Sequence, residues 1–316
     1  MKIMKLKLAL IGLLYLSTLG CQNNNQSQEK SKSSAKEETT IIKTEAPTSS
    51  ASKPGLSLGI ASVPNLRDLG GYETRDGATI ARGLVYRSNQ LSPISPEDMK
   101  KFTKLGLKND YDLRTEAERT PSPDQLPEGV NNIWLDVLKD AKGSAPTNLL
   151  ALLQNPVEGN KELGDGKIEA IFVQSYRDFV SLPSAKTAYN ELFTSLADPN
   201  KTPALFHCTT GKDRTGWAAA AFLILLGVPM ETVMEDYLRS NDYILPLYKE
   251  VIDGYVTGGG EPNIPQAIFG VKKEYLEASF DEMQTNYGSI ENYFSEGLGI
   301  DTNTQKMLRD MYLNKK

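Results

Sequence analysis

His207-Cys208-Thr209-Thr210-Gly211-Lys212-Asp213-Arg214-Thr215-Gly216 is the stretch on which the reading of this chain turns. It holds the only histidine and one of the two cysteines of the 316 residues. Residues 203–207 ahead of it form a short apolar run with strand character. Residues 215–226 behind it form an alanine-rich helix, too apolar all round to lie on a surface. A strand, a tight loop and a buried helix place the loop at the C-terminal edge of a strand and at a helix N-terminus. Backbone amides there have no intrahelical partner, and the helix dipole is positive. Such a place receives a phosphate dianion, and the same field stabilises a thiolate. Arg214, six residues after Cys208, offers a planar fork that suits two phosphate oxygens better than a lysine would. Gly211 and Gly216 permit a tight loop and a close helix–strand approach. The combination points to a thiol nucleophile acting on a phosphate ester.

Outward from the loop, strands alternate with helices. Residues 83–87, 108–113 and 133–137 read as strands. Ser95-Pro96-Glu97-Asp98 opens a helix that ends near Gly106: Ser95 caps, Pro96 fits the first turn, and the acids suit the positive end. Residues 168–182 and 185–196 read as helices, Gly227 stops the helix after the cysteine loop, and Pro229 starts another. The remainder is mostly helical, broken at Gly258-Gly259-Gly260. This order predicts an α/β sandwich with a mainly parallel central sheet. Tyr243, Tyr248, Tyr255 and Phe269 in the helical C-terminal region either form a lid over the site or pack the side of the body.

Cys208, five intervening residues and Arg214 form the signature of cysteine-dependent protein tyrosine phosphatases. The fuller string resembles the loop of the bacterial tyrosine/lipid phosphatase family, which includes secreted enzymes acting on phosphoproteins and phosphoinositides. Asn65-Leu66-Arg67-Asp68-Leu69-Gly70-Gly71-Tyr72 is similar to that family's opening motif, and Asp112-Leu113-Arg114-Thr115-Glu116 to its second. Asp236-Tyr237-Leu238 and Tyr287-Gly288-Ser289 also fit, so the resemblance runs from about Val63 onward. It implies a three-layer sandwich of the protein-tyrosine-phosphatase kind. It also implies that Cys208 attacks phosphorus and forms a phosphocysteine, and that Arg214 binds the transferring group. The amides from Thr209 through Thr210, Gly211 and Lys212 to Arg214 would receive its equatorial oxygens. Thr215 would hydrogen-bond the departing sulfur, His207 would orient the loop, and Lys212 would add positive charge at the rim. The general acid stays open. Asp213 resembles the family's acid/base candidate and stands first. Asp112 and Asp136 come next, either of them a structural partner of Arg67, Arg87 or Arg114 instead. No Trp-Pro-Asp tripeptide is present: Trp134 is followed by Leu135-Asp136.

Other chemistries fit less well. A Walker motif needs glycine at position 206 and Ser or Thr at 213, where the chain has Phe and Asp. Asp110-Tyr111-Asp112 follows Lys108 and Asn109, not the hydrophobic strand of a magnesium-dependent phosphatase. One histidine and one available cysteine make a zinc site improbable, and no metal or cofactor is expected. A catalytically inactive, surface-anchored phosphate-binding protein is the non-enzyme alternative. The open substrate classes are phosphotyrosine, phosphoserine, phosphoinositides and soluble inositol phosphates.

The N-terminus reads as an export segment over residues 1–20, with a basic start (Lys2, Lys5, Lys7) and an apolar run too short for a comfortable membrane span. Leu16-Ser17-Thr18-Leu19-Gly20-Cys21 resembles a bacterial lipobox, with Thr18 where leucine is usual. That resemblance implies lipidation of Cys21; an ordinary secretory signal is the alternative. Residues 21–55, polar and nearly free of large apolar side chains, read as a disordered tether, and residues 56–316 as one catalytic domain. An exported, membrane-anchored lipoprotein follows. Its partners would be a phosphorylated protein or phosphoinositide and, through the anchor, a membrane. Loss of the three N-terminal lysines takes the net charge from −5 to −8, which argues against nucleic-acid binding.

Overall fold

The structure, a computed structural model, describes residues 53–141 and 146–314. Cys21 and almost all of the expected tether lie outside them. Short strands β1 (Arg67–Asp68) and β2 (Thr79–Ile80) precede β3 (Val85–Ser88) and helix α1 (Pro96–Thr103). Then come β4 (Asn109–Asp112), α2 (Glu116–Arg119) and β5 (Asn131–Trp134). Helices α3 (Pro146–Leu153), α4 (Pro156–Leu163), α5 (Lys167–Ser181) and α6 (Pro183–Leu196) lead to β6 (Ala204–His207) and α7 (Arg214–Leu225). Helices α8 (Met230–Leu238), α9 (Ser240–Ile244), α10 (Lys249–Thr257), α11 (Asn263–Phe269) and α12 (Lys273–Tyr287) follow. After α13 (Ile290–Asn292) and α14 (Thr302–Tyr312), the chain closes with β7 (Leu313–Asn314), antiparallel to β2.

The main sheet has the order β1-β3-β6-β4-β5. Only β1 is antiparallel; β3, β6, β4 and β5 run parallel. Alternation along the strands splits the core between two faces. Tyr86 and Leu205 join Phe102 of α1 on one face. Val85, Ala204, Phe206 and Tyr111 join the larger helical body on the other, where Trp217 and Phe222 of α7 are fully buried. The fold is α/β with a mainly parallel central sheet between helices. A third apolar cluster ties α3 and α4 to α5, α10 and α11 through Leu153, Leu163, Ile168, Tyr255 and Phe269. Among the described residues no helix is long and apolar enough to cross a membrane.

Helix α1 starts as its sequence dictates: the Ser95 side chain accepts from the Asp98 amide and Pro96 occupies the first turn. One strand is displaced. The ladder of β5 runs through Asn131–Trp134, not residues 133–137. Leu135 and Val137 instead leave the sheet and bury in the large core, while exposed Asn131 and Asn132 complete the open edge. Apolar pattern marked the burial, but backbone pairing decided the strand.

The aromatic residues considered for a lid are occupied in packing. Tyr248 stacks on Phe269 at 4.0 Å, Tyr255 is in the third cluster, and the Tyr243 ring lies 5.8 Å from the Arg67 guanidinium.

Candidate active site

All four parallel strands end at one edge, where ligand sites of open α/β sheets lie. From β6 the chain passes His207 and turns through Thr209–Asp213 into α7, leaving Cys208 1% exposed at the base. Three loop carbonyls are turned away from this base by donors behind them. The Gln90 amide donates to Thr209 O (3.1 Å), Asn65 Nδ2 to Thr210 O (3.0 Å) and Arg87 Nη2 to Gly211 O (2.8 Å). Among the described residues, nothing accepts from the amides of Thr209 to Arg214. Amides left without an acceptor beside a thiol are the donor set that an anion needs. Gly211 makes the turn possible: its φ is +69°, and a Cβ there would sit 2.2 Å from Ser88 O.

Arg214 is fixed by Glu118 of α2. Nη1 and Nη2 donate to its two carboxylate oxygens at 2.7 Å each, and Nη1 also reaches Leu113 O at 3.2 Å. Glu118 is itself held by the Thr209 hydroxyl (2.6 Å) and by the amide and hydroxyl of Thr115 (2.9 Å each). Burial opposes its ionisation, yet the Arg214 charge and these bonds hold it well below the usual glutamate range.

Two ion networks brace the loop from behind. Asp236 of α8 accepts from Arg67 (2.7 Å), Arg87 (2.8 Å) and the Tyr72 hydroxyl (2.7 Å), all buried. This clamp holds the guanidinium that donates to Gly211 O. In the second network, His207 Nε2 lies 3.3 Å from Asp124 and 3.5 Å from Asp110. Burial disfavours the imidazolium, but the two carboxylates outweigh it and carry His207 well above its ordinary value. Atoms of Asp110, Asp124 and His207 come within 4.8 Å of one another, as metal ligands would. Arg114, however, already donates to Asp124 at 2.8 Å, and a protonated His207 supplies the remaining charge.

Asp112 is fully buried, with Arg114 on both oxygens (2.8 and 2.9 Å) and Arg119 on one (3.1 Å). Both of its oxygens are thus committed to arginines, the structural partnership that was the alternative for it. Asp136 is half-buried beyond β5 and accepts from the Leu138 amide at 3.0 Å; burial raises its carboxyl above the ordinary value. It lines an open cleft of about 720 Å³ with Thr115, Glu116 and Lys139. Asp213 stays at the loop, bonded to Lys212 (2.9 Å) and to the Tyr176 hydroxyl (2.9 Å). Lys212 departs from expectation. It is 2% exposed, its ammonium 4.9 Å from the Phe172 ring centroid, so the Asp213 ion pair and the ring draw it in from the rim. The Thr215 hydroxyl is buried without a hydrogen-bond partner among the described residues.

With this geometry in place, the match to known proteins is decisive: the model of the tyrosine phosphatase family covers residues 58–314. The chain belongs to the tyrosine phosphatase family. Among curated relatives of this phosphatase, a tyrosine-protein phosphatase by name from Cupriavidus necator is 28% identical, over 85% of this chain and 93% of its own. The triple specificity protein phosphatase PtpB of Mycobacterium tuberculosis is 29% identical, over 79% of this chain and 96% of its own. A tyrosine-protein phosphatase of Nostoc commune is 27% identical over about half of each chain. The substrates of this phosphatase are phosphorylated molecules.

Glu118 and Tyr176 are the site residues that sequence reading missed. Glu118 carried a signal, since Thr115-Glu116-Ala117-Glu118 has the spacing of a capping box. Tyr176 carried none, being one apolar-face residue of a helix 32 positions before Cys208.

Proposed function

We propose that this phosphatase hydrolyses phosphate monoesters through a phosphocysteine on Cys208, with phosphotyrosine as the first substrate class and phosphoinositides as a second. The observation that carries this is the loop itself: three carbonyls held by donors, the amides without acceptors among the described residues, Cys208 buried between them and Arg214 held by Glu118. In the first step the Cys208 sulfur attacks phosphorus as the bond to the leaving oxygen breaks, and Asp213 gives that oxygen a proton. The amides and Arg214 receive the charge gathering on the equatorial oxygens. In the second step water attacks phosphorus, its proton passes to Asp213, and the sulfur leaves as thiolate toward the Thr215 hydroxyl. His207, as imidazolium, adds positive charge behind the loop. The two-substrate reading draws on the breadth named for the PtpB relative.

From the export segment and the lipobox resemblance of residues 16–21 we further propose that the enzyme lies outside the cytoplasm, lipidated at Cys21 and tethered to a membrane. Cys21→Ser should then move activity from the membrane fraction to the soluble one; unchanged fractionation refutes the anchor.

The decisive experiment is hydrolysis of a phosphotyrosine peptide and a phosphoinositide with chelator present. Activity should persist with chelator, be blocked by vanadate and vanish in Cys208→Ser. Arg214→Lys should lose about 10²-fold or more, because a point charge replaces a fork. Wild-type turnover by Cys208→Ser would overturn the mechanism, and an inert wild type that still binds phosphopeptide would leave the binding protein.

A further inference from the structure

Asp213 does not stand alone at the mouth of the loop. Behind it, Tyr237 of α8 lies 2.6 Å, oxygen to oxygen, from Tyr176 of α5, and Tyr176 lies 2.9 Å from Asp213 Oδ1. An ionised carboxylate only accepts, so Tyr176 donates to Asp213, and its oxygen is left to accept from Tyr237. The direction of the chain is therefore fixed: Tyr237 to Tyr176 to Asp213. Both rings are rigidly held. Tyr176 is fully buried, with Phe179, Tyr275 and Tyr237 at centroid distances of 5.0, 5.7 and 6.1 Å. Burial first, and the Asp213 charge next, push Tyr176 well above the ordinary phenol range, so it keeps its proton. The buried Lys212 Nζ straddles the carboxylate, 2.9 Å from Oδ1 and 2.8 Å from Oδ2.

We propose that Tyr176, aimed by Tyr237, is a positioning residue that selects which oxygen of Asp213 carries the catalytic proton. This rests on the reading of Asp213 as the proton donor. Oδ1 accepts from two donors, Tyr176 and Lys212, whereas Oδ2 has only the ion-pair contact with Lys212 among the described residues. A proton placed on Oδ1 would oppose the Tyr176 hydroxyl; a proton on Oδ2 leaves that bond intact. Oδ2–H then gives its proton to the leaving oxygen as the phosphorus–oxygen bond breaks and the sulfur–phosphorus bond forms. When water cleaves the phosphocysteine, Oδ2 takes the water proton and the sulfur departs with its electron pair. Asp213 is restored for the next turnover.

Leaving-group dependence tests this, because a good leaving group needs no proton and a poor one does. The readout is kcat/KM for phenyl phosphate against 4-nitrophenyl phosphate, using the full chain. Tyr176→Phe should lower kcat/KM for phenyl phosphate roughly 10-fold or more while changing the nitrophenyl ester about twofold or less. Tyr237→Phe, which leaves Tyr176 in place but unaimed, should shift the ratio in the same direction by less. Equal losses on both esters in the two variants mean a merely structural role and overturn the proposal, as does an unchanged ratio. Asp213→Asn separates the two layers. A steep leaving-group dependence in Asp213→Asn with none in Tyr176→Phe refutes the relay alone. No dependence in Asp213→Asn refutes the proton-donor reading beneath it.

Discussion

Arg214 and Glu118 face each other through two parallel hydrogen bonds of 2.7 Å. The guanidinium that would grip a phosphate is thus already held at both terminal nitrogens by a carboxylate on a neighbouring helix, leaving its remaining N–H groups for a ligand. This fixes the guanidinium plane before any substrate arrives, so less rotamer entropy is lost on binding. Glu118→Gln keeps the shape but removes the charge and one acceptor. A fall in kcat/KM of about 10- to 150-fold is expected, matching about 1.5–3 kcal/mol for a bond to a charged group. Steady-state kinetics on a phosphotyrosine peptide checks it; loss of less than about threefold would show that Arg214 needs no brace.

Stability should fall on both sides of neutrality. The Asp124 carboxyl is held below its ordinary value: burial opposes this, but His207 and Arg114 outweigh it. Its contribution is present above the unfolded carboxyl range near pH 4 and is lost as pH falls toward the folded value. His207 is shifted the other way. Its contribution is present below about pH 6.5 and is lost as pH rises through its folded value. Melting temperature measured from pH 3 to 9 should show both limbs, and Asp124→Asn should flatten both. Two limbs of unchanged slope in Asp124→Asn would exclude this pair as their source.

Asp236 is the single acceptor shared by two buried arginines. Asp236→Asn leaves Arg67 and Arg87 charged without a counter-ion, at a cost of about 3–5 kcal/mol. Chemical denaturation measures this directly. A loss under about 1 kcal/mol would mean that the arginines find other partners and the clamp carries little.

Gly211→Ala and Gly254→Ala form a contrasting pair. At Gly211 the left-handed backbone and the contact with Ser88 O forbid a side chain. The loop must shift, and about 10²-fold in kcat/KM should go with a displacement near 1 Å. At Gly254, inside α10, a Cβ meets nothing within 4 Å, and alanine should add about 0.5–1 kcal/mol of stability with activity unchanged. Near-wild-type kinetics for Gly211→Ala would contradict the described loop.

Much of the fold was legible because its signals are local. The apolar run before Cys208, the Ser95-Pro96 helix start and the break at Gly227 each act within one turn or one strand. The end of β5 was misread because Leu135 and Val137 are apolar for a helical core, not for the sheet. Lys212 was misread because its partners are unequal in distance along the chain. Asp213 adjoins it, but Phe172 comes 40 residues earlier.

By itself the sequence determined the strand–loop–helix and pointed to Cys208 as the candidate nucleophile and Arg214 as the candidate phosphate-gripping arginine, because six residues of chain carry that spacing. Only the tertiary structure decided which groups act on them. Glu118 reaches Arg214 from the helix after β4, Arg87 reaches the Gly211 carbonyl from β3, and Tyr176 reaches Asp213 from α5. Parallel strands bring their C-terminal ends together at one edge, and no spacing along a single chain records which connections meet there.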